Sequence, residues 1–511
     1  MRTACWGCVA VLAAVLWAAA PAAAAPVLVL GKDGKVRERT DRFVPRTGEA
    51  VMPRPKARTA TAPARPQVRA ATANASASRK QRKRRTVIGE LKRLRRSGQI
   101  PAEDYASRRA VYQAIRRRAA RLPRGTRRNE MQAVVATLDA IAARGQLTAS
   151  RLIPLWLTLE RNLEWWRDGS LLRSGQRIEF EGSELVWQYY PGQGVQLQML
   201  GNFGKLNGLW GNRRQDDRLA VMLDELIPLA AERAGGVAWE YYFTFGGGSP
   251  PWASGLAQGT AVQALARAAT RLDREADVLP LAQRALALFE APTPAGVRVP
   301  EAGGNHYAIY SFAPTLRVLN GFIQSLIGLY DYARISGDPR GLTLYESGES
   351  EARREVPAYD TGAWSLYSRG SVTRESDLSY HDLLQDFLDG LCRRTDLEVY
   401  CTTAQNFLDY KAVPPEVTVR GRTLRGGKPG RVRFELSKIS NVTLRITRGE
   451  QVVESRPFGA VGYGKRTFGW DVPRRAGTYT VQLSATDLAG NDGSAAATVE
   501  VLKPRKRDRS R

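Results

Sequence analysis

The stretch that decides the fold is VLNGFIQSLIGLYDYARISGD, residues 318–338, which is followed at residues 359–368 by YDTGAWSLYS. In the first stretch, apolar residues recur every three or four positions, and this spacing predicts a helix that packs along one face. The second stretch has a glycine among aromatic residues and predicts a turn. The expected core positions of the helix are Leu319, Phe322, Leu326 and Leu329.

Residues that could carry chemistry lie around this stretch. The chain has only two histidines, and no GxSxG, HExxH, Walker or GxGxxG motif offers a nucleophile, a zinc site or a phosphate loop. A tyrosine can move a proton to or from one face of a sugar ring, and its ring can stack on the sugar. The pattern favours proton transfer, although a single tyrosine at a helix end is more typical of packing. The tyrosines at predicted loop–helix junctions are Tyr307, Tyr310, Tyr359, Tyr367 and Tyr380.

The N-terminus has the pattern of a secretory signal peptide, which we predict over residues 1–25. Arg2 supplies the positive charge, residues 9–20 are apolar, and residues 22–25 are alanines suited to cleavage. No later apolar run reaches the length of about 20 residues that a membrane-spanning helix needs. We therefore expect a secreted protein, either extracellular or associated with the cell envelope.

The charge of the chain is strongly positive. The formal net charge is +27, and basic residues are concentrated within residues 79–128. Outside the cell, such a surface suits an anionic polysaccharide or the cell envelope, and nucleic acid is not an expected partner. The alternative is that these arginines only solvate helix faces. Residues 26–85, which are rich in Pro, Ala, Thr and Arg from residue 46 onwards, are predicted to be a basic disordered linker.

Helical periodicity dominates the middle of the chain. Residues 86–170 predict a helical N-terminal region. Residues 171–410 predict a hairpin at residues 176–190 and then one helix after another, the first over residues 195–210. Helices in succession without a βαβ unit favour an (α/α)-toroid-like domain.

Short alternating strands replace the helices near residue 414. Residues 414–502 predict an antiparallel β-sandwich of the Ig-like type. Within it, residues 477–491 resemble the late hairpin of bacterial flagellar-hook-cap and fibronectin-type modules. Residues 503–511 form a basic tail. The expected fold class is thus a multidomain protein with a mainly α, toroid-like domain followed by an all-β sandwich.

Two cysteines remain once the signal peptide is removed. Cys392 and Cys401 are close in sequence and are expected to meet an oxidising compartment, so we predict a local disulfide. The alternative is two unpaired, partly buried thiols. Two cysteines and two distant histidines do not make the four ligands of a zinc site, and we predict neither a metal nor a cofactor.

Several motifs together resemble the C-terminal domain of D-glucuronyl C5-epimerases, which convert glucuronic to iduronic acid in heparan-type glycans. The resemblance covers roughly residues 235–395. It implies an (α/α) toroid with a groove for a uronic-acid chain, and a mechanism in which one residue removes the C5 proton and another protonates the opposite face. The matching segments are WASGLAQG (252–259), VLNGFIQSLIGLYD (318–331), LYESG (344–348), YDTGAWSLY (359–367) and YH (380–381).

Carried over residue by residue, the resemblance implies Tyr310 and Tyr380 as the opposed acid–base pair. It implies Tyr367 as a residue that assists them or orients the substrate. The charge that develops on the substrate carboxylate needs a cation, and Arg369 or Arg374 could supply it. The further candidate substrate contacts are Trp252, Gln258, Asn320 and His381.

Two positions depart from the family pattern. Ile309 stands where the vertebrate enzyme has a glutamate directly before its first catalytic tyrosine, and Leu384 stands where the family has a second histidine. If that glutamate tunes the tyrosine, Tyr310 lacks it. Two alternatives therefore stay open beside a C5-epimerase: a polysaccharide lyase that begins with the same proton abstraction, and a non-catalytic glycan-binding protein of the cell surface.

Overall fold

The structure, a computed structural model, describes residues 25–44 and 85–504. All but the last residue of the predicted signal peptide, most of the predicted linker and most of the basic tail lie outside these residues, so the assignments of those parts stay predictions. None of the helices in the described part of the chain is long and apolar enough to cross a lipid bilayer.

A domain made mainly of helices, residues 25–44 and 85–412, precedes a β domain, residues 413–504. The sequence predicts this order of a helical and a β part, and the structure confirms it. The α-helices are α1 (Val87–Arg96), α2 (Ala102–Arg121), α3 (Thr126–Ala143), α4 (Leu152–Asp168), α5 (Met199–Trp210), α6 (Asp216–Leu226), α7 (Gly255–Arg271), α8 (Glu275–Ala285), α9 (Ala287–Glu290), α10 (Leu319–Ser336), α11 (Pro339–Glu355), α12 (Leu378–Thr395) and α13 (Glu398–Tyr410).

Among the described residues, the helical domain carries a five-stranded sheet, a three-stranded sheet and two two-stranded ones, and the β domain has a three-stranded and a five-stranded sheet. The strands of the helical domain are β1 (Ala25–Leu30), β2 (Val36–Asp41), β3 (Arg177–Phe180), β4 (Trp187–Tyr190), β5 (Gly194–Leu197), β6 (Ala231–Arg233), β7 (Gly236–Ala238), β8 (Arg298–Pro300), β9 (Asn305–Tyr307), β10 (Leu316–Val318), β11 (Leu366–Gly370) and β12 (Arg374–Glu375). Those of the β domain are β13 (Val417–Arg420), β14 (Thr423–Arg425), β15 (Pro429–Leu436), β16 (Ser440–Arg448), β17 (Gln451–Val461), β18 (Gly464–Asp471), β19 (Gly477–Asp487) and β20 (Asp492–Leu502).

The start of the described chain corrects the linker prediction. Residues 26–44 are predicted to belong to a disordered linker, but residues 25–41 form the antiparallel pair β1–β2, and β1 also pairs in parallel with β3. Val27 and Leu30 are buried, and burying this apolar run stabilises the hairpin on the domain. The prediction was wrong here because the Pro- and Arg-rich residues after the hairpin dominate the average composition of the segment.

Buried charges add to the attachment of this hairpin. The Nζ atom of Lys205 on α5 lies 2.7 Å from a carboxylate oxygen of Glu179 on β3 and 3.7 Å from one of Asp41 at the end of β2. Arg39 on β2 forms an ion pair with the same Glu179. Charges are tolerated in the interior when they are paired in this way, and the cluster links three segments that are far apart in sequence.

The hairpin predicted at residues 176–190 is present, because β3 and β4 pair antiparallel with Ile178 opposite Trp187. The helix predicted from residue 195 is wrong at its start, since residues 194–197 form β5 beside β4. Helix α5 begins only at Met199, where the side chain of Gln198 accepts a hydrogen bond from the Gly201 amide at 2.9 Å. A short apolar run at the end of a hairpin is compatible with either strand or helix, and pairing with β4 decides it.

The stretch at residues 318–338 forms the central helix α10, and its four expected core residues are fully buried. Helix α10 packs closely against α7. A Cβ atom added at Gly328 would lie 2.1 Å from the carbonyl oxygen of Gly259, so only glycine allows this approach of the two backbones. Three residues before α10 form β10, which pairs with β11.

One continuous cluster of buried apolar residues extends from Leu30 to Phe407. It runs through both the predicted N-terminal helical region and the predicted toroid-like domain. Helices α12 and α13 at its end are joined by a disulfide between Cys392 and Cys401, whose Cα atoms are 4.9 Å apart. Because α12 carries Tyr380 and His381, this bond braces the helix on which two candidate site residues lie.

The β domain has its own core between two sheets. One sheet has the order β13-β15-β18 and the other the order β14-β20-β19-β16-β17. Buried and exposed residues alternate along β15, β16 and β19, which is the pattern of strands with one face on a core.

Candidate active site around Tyr367 and Tyr380

Strand β11 carries Tyr367 in the middle of a three-stranded sheet. On one side Arg369 lies opposite Arg317 of β10, and on the other Ser368 lies opposite Arg374 of β12, next to an irregularity in the register. Tyr367 is 4% exposed. The sheet therefore holds this tyrosine at a fixed position between two strands that each bring an arginine.

Helix α12 brings Tyr380 to the same place. The carboxylate of Asp377 caps the helix by accepting a hydrogen bond from the Tyr380 amide at 2.9 Å. The ring centroids of Tyr367 and Tyr380 are 4.8 Å apart, with an angle of 56° between the ring planes. The positive end of the helix dipole lies at this terminus and favours negative charge beside it.

The two candidate cations contact different tyrosines. The guanidinium carbon of Arg374 lies 4.7 Å from the ring centroid of Tyr367, whereas that of Arg369 lies 5.5 Å from the ring of Tyr359. Of the two candidate cations, Arg374 is therefore the one that contacts Tyr367. The hydroxyl of Tyr359 donates to the carbonyl oxygen of Arg317 at 3.2 Å, so Tyr359 acts as a packing residue of the sheet.

Tyr310 lies within an aromatic cluster. Its ring stacks on Phe312 with a centroid separation of 5.4 Å and packs edge-on against Trp252 at 5.6 Å and against Phe245 at 5.5 Å. Tyr310 and Trp252 are buried, but Phe245 and Phe312 are only half-buried. The two phenylalanines thus form the outer layer over Tyr310, and sequence reasoning missed both because a lone phenylalanine carries no motif.

Trp252 and Gln258, two of the expected substrate contacts, make internal hydrogen bonds. The indole nitrogen of Trp252 donates to the Phe243 carbonyl oxygen at 2.8 Å. The side chain of Gln258 accepts from the Trp239 amide at 3.4 Å and donates to the Val237 carbonyl oxygen at 3.3 Å. Both residues are about 1% exposed, and these bonds hold the chain segments on which the aromatic cluster is built.

Asn320 differs from them. It lies in the first turn of α10 and is 4% exposed. Within the described part of the chain, its buried Oδ1 atom has no hydrogen-bond partner. A buried acceptor without a partner lowers the stability of the folded state. The fold therefore retains this oxygen at a cost in stability.

Ile309, which replaces the family glutamate, packs on α10. A Cβ atom added at Gly321 would lie 3.1 Å from the Cδ1 and Cγ1 atoms of Ile309, and Ile309 is 1% exposed. A hydrocarbon thus fills the position before Tyr310, and position 309 supplies no carboxylate to the aromatic cluster.

His381, which follows Tyr380 on α12, is fully buried. Its Nε2 atom lies 2.7 Å from the Phe407 carbonyl oxygen, and its Nδ1 atom lies 2.7 Å from the Oγ atom of Ser365. The ring stacks on Trp364 with a centroid separation of 3.7 Å. Burial lowers the pKa of His381 to about 4, because burial disfavours the charged form. A neutral ring with both nitrogens bonded internally braces the start of α12, and direct contact with substrate stays a prediction.

His306 forms a second buried pair that the sequence did not indicate. Its Nδ1 atom lies 2.9 Å from a carboxylate oxygen of Glu355, and burial lowers the pKa of His306 despite this partner. The pairing joins β9 to the end of α11. Because the two residues are 49 positions apart, no local pattern could have brought them together.

The candidate site lies in a part of the chain that matches a known family. Residues 234–409 match the family described as D-glucuronyl C5-epimerase C-terminus. The match confirms the resemblance stated from the motifs, and this part of the chain is similar to that family. The matched range contains α7 to α12, all but the last residue of α13, and every residue of the candidate site.

A curated relative supports the same family. The chain is 30% identical over 179 residues to a D-glucuronyl C5-epimerase from Caenorhabditis elegans. The alignment covers 32% of this chain and 29% of that relative. The chain therefore spans less than a third of the length of the curated relative that it matches.

Solved structures give only distant likenesses. A cellobiose 2-epimerase from Bacillus thermoamylovorans aligns with a TM-score of 0.29 and 10% identity, over 49% of this chain and 66% of that one. The endo-β-1,4-glucanase CMCax from Acetobacter xylinum aligns with a TM-score of 0.28 and 14% identity, over 38% and 63% of the two chains. Scores of this size carry no argument about fold or function.

Proposed function

We propose that this chain is an exported C5-epimerase that acts on glucuronic-acid-type residues of an anionic polysaccharide. The observation that carries the proposal is the pair Tyr367–Tyr380, with Arg374 over the first ring, inside the segment that matches the C5-epimerase family. The net charge of +27 suits a polyanionic substrate.

The finer architecture belongs to the same proposal. The succession of helices around one core, with α7 and α10 in close contact, supports an (α/α) toroid whose groove takes the polysaccharide. The two sheets of mainly antiparallel strands around a separate core support an Ig-like sandwich for the β domain.

The proposed reaction breaks and remakes one bond. A base takes the proton from C5, and the electron pair of the C5–H bond moves into the C5–C6 bond, so that the C6 carboxylate becomes an enediolate with a second negative charge. An acid then protonates C5 from the opposite face, which inverts that carbon and restores the single charge. The C5 proton is acidic only because it is α to the carboxylate, so stabilising the enediolate is the main task of the site.

The roles follow the family pattern. Tyr380 and Tyr310 are the opposed acid and base, and Tyr367 orients the substrate or assists Tyr380, whose ring it contacts. A phenol has an unperturbed pKa of about 10, so a tyrosine needs nearby positive charge to act as a base. Arg374 and the positive end of α12 supply that charge, and Arg374 also faces the developing enediolate.

Deuterium incorporation tests the proposal. The full chain is incubated in D2O with a polymer of alternating glucuronic acid and N-acetylglucosamine, and deuterium at C5 is measured by NMR. We expect exchange at C5 in the wild type and a loss of about 100-fold or more in Tyr380→Phe and Tyr310→Phe, since each removes a proton-transfer group. The matched control is Tyr112→Phe, whose hydroxyl donates to Asp139 on the N-terminal helices.

The possible results separate the three functions. Deuterium at C5 without new unsaturation supports an epimerase. Absorbance from a 4,5-unsaturated uronate shows that the C4–O bond breaks as well, which means a lyase. Binding without either signal means a glycan-binding protein, and full exchange in both tyrosine variants would contradict the assigned residues.

A further inference from the structure

Glu375 on β12 connects the helical domain to the β domain. It is 6% exposed. Its Oε1 atom accepts a hydrogen bond from the Ile439 amide at 2.7 Å, and its Oε2 atom accepts one from the Tyr463 amide at 2.7 Å. Ile439 lies between β15 and β16, and Tyr463 lies between β17 and β18. One carboxylate of the helical domain thus binds two separate loops of the β domain.

The carboxylate of Glu375 is subject to two opposing effects. Burial raises the pKa of Glu375, while the two amides favour its ionised form. Without the two amide donors, the buried carboxylate would lack the hydrogen bonds that compensate for its loss of hydration. The position of β12 is therefore tied to the position of the two loops.

The neighbouring residue on β12 faces the candidate site. Arg374 lies over the ring of Tyr367, and Glu375 points to the β domain. Adjacent residues of a strand point to opposite sides, so β12 has the site on one side and the β domain on the other. A shift of Glu375 moves the backbone that carries Arg374.

A second contact reaches the other half of the site. Lys438 of the β domain is buried, and its Nζ atom donates to the Tyr410 carbonyl oxygen at 2.7 Å and to Asp487 at 2.9 Å. Its ammonium lies 5.4 Å from the ring centroid of Trp364. Trp364 stacks on His381, which directly follows Tyr380. The β domain thus supports both the strand with Arg374 and the helix with Tyr380.

We propose that Glu375 is a positioning residue of the active site and that the β domain, through Glu375 and Lys438, fixes Arg374 and Tyr380 relative to Tyr367. The β domain is then a structural part of the site and not only a separate glycan-binding or spacing module. The catalytic consequence rests on the function proposed above, whereas the mechanical coupling does not.

Two variants and one control test this coupling in the full chain. Glu375→Gln keeps the size of the side chain but can accept from only one of the two amides through its oxygen. Glu375→Asp is too short to reach both amides and serves as a second variant if the first folds poorly. The control is Glu130→Gln on α3, because Glu130 is likewise a buried carboxylate that accepts from two backbone amides, those of Gly192 and Gly194 at 2.9 Å, and touches neither β12 nor Lys438. Circular dichroism establishes that each variant is folded.

Hydrogen exchange measured by mass spectrometry gives a readout that needs no activity. We expect the amides of residues 366–377 to exchange at least about tenfold faster in Glu375→Gln than in the wild type, because local opening of these strands becomes easier. Glu130→Gln should leave that peptide unchanged. In the C5 assay, kcat of Glu375→Gln should fall by about 10–100-fold, the loss expected from a displacement near 1 Å, with little change in KM.

Each result decides the matter. Faster exchange together with lower kcat supports the proposal. Unchanged exchange in Glu375→Gln overturns it, whatever the activity, and faster exchange with wild-type kcat overturns the positioning role. If the wild-type enzyme shows no reaction at C5 but exchange in residues 366–377 rises in Glu375→Gln, the proposed function fails while the coupling between the domains stands.

Discussion

Arg374 is the candidate cation that contacts Tyr367 of the tyrosine pair. It lies 4.7 Å from the Tyr367 ring centroid, close enough to act on that ring and on a substrate carboxylate beside it. Arg369 has the same charge but contacts Tyr359 instead. Comparing variants of the two arginines therefore compares a cation that contacts Tyr367 with one that contacts Tyr359.

We predict that Arg374→Gln lowers kcat for C5 exchange by about 100–1000-fold, the usual loss when one group that stabilises a developing oxyanion is removed. Arg369→Gln should lower it much less. The measurement is deuterium incorporation at C5 under saturating polymer. Equal losses in the two variants would mean that Arg374 has no special place in the reaction.

His381 gives a prediction about acid stability. Its pKa is lowered to about 4 in the folded protein by burial, against about 6.5 in an unfolded chain. Below pH 6.5 the unfolded state binds a proton that the folded state refuses, so stability falls as the pH is lowered towards 4. The titration of this residue alone should lower the free energy of unfolding by about 2 kcal/mol between pH 7 and pH 5.

Urea unfolding at pH 7 and pH 5 checks this prediction. In His381→Gln, the part of the pH dependence due to this residue should disappear, although the variant is less stable at both values. The burial of His306 lowers its pKa as well, so some acid sensitivity should remain. A pH dependence identical to that of the wild type would show that His381 is not the group that titrates.

At the scale of single elements, the contact of α7 with α10 sets the arrangement of the helical domain. Gly328 and Gly259 let the two helix backbones touch. Any side chain at Gly328 must push α10 away from α7, because the obstacle is a backbone carbonyl that cannot rotate aside. Since α10 is flanked by the aromatic cluster of Tyr310 and by β10, such a shift would reach both parts of the candidate site.

We predict that Gly328→Ala lowers the free energy of unfolding by about 1–3 kcal/mol or more, the range for overpacking a tight core. Gly469→Ala on β18 is the control, because a Cβ atom there meets nothing within 4 Å. Chemical denaturation monitored by tryptophan fluorescence measures both. A Gly328→Ala protein as stable as the control would mean that the helices tolerate a wider separation.

The disulfide between α12 and α13 is a second element-level feature. The two cysteines are separated by 9 positions in sequence, and closing a loop of that size restricts the unfolded chain by about 2–3 kcal/mol. We predict that Cys392→Ser with Cys401→Ser lowers stability by that amount. Mass spectrometry with and without reductant checks that the bond forms. Stability that is insensitive to both substitution and reduction would contradict its role as a brace.

How far the sequence predicts these elements depends on how local their determinants are. Helix α10 follows from its own periodicity, and the β3–β4 hairpin at residues 176–190 follows from the alternation of its two strands. Strand β5 is predicted as helix because four residues are too few to show a period, and β1–β2 is masked by the composition of the Pro- and Arg-rich residues after it. The contacts of Glu375 span 64 and 88 residues, and no local pattern encodes such a distance.

At the scale of the whole molecule, the positive charge is the property with the widest effect. Arginines at and after the C-terminal end of α2 are exposed, among them Arg117, Arg118, Arg121 and Arg124. Exposed charges act over about 30 Å at an ionic strength of about 0.01 M but only about 8 Å at about 0.15 M. A polyanionic substrate should therefore bind more weakly as salt is added.

We predict that KM for the glucuronate polymer rises several-fold over that range of ionic strength, while kcat changes little. When the four arginines are replaced by glutamine, KM should depend less on the salt concentration. The rate of exchange at C5 under saturating polymer should stay unchanged. Initial rates at several NaCl concentrations test both points. A KM that does not respond to salt would mean that the basic surface does not contact the polymer.

The contact of Glu375 with two backbone amides has a consequence for how this protein can vary over generations. The donors at positions 439 and 463 belong to the main chain, so any residue except proline provides them. The side chains of these two loops can therefore change during evolution while the contact persists, provided that the acidic partner is kept. Positions 439 and 463 would then show no covariation with Glu375. Two chains with different β-domain loops could therefore hold their tyrosines in the same way.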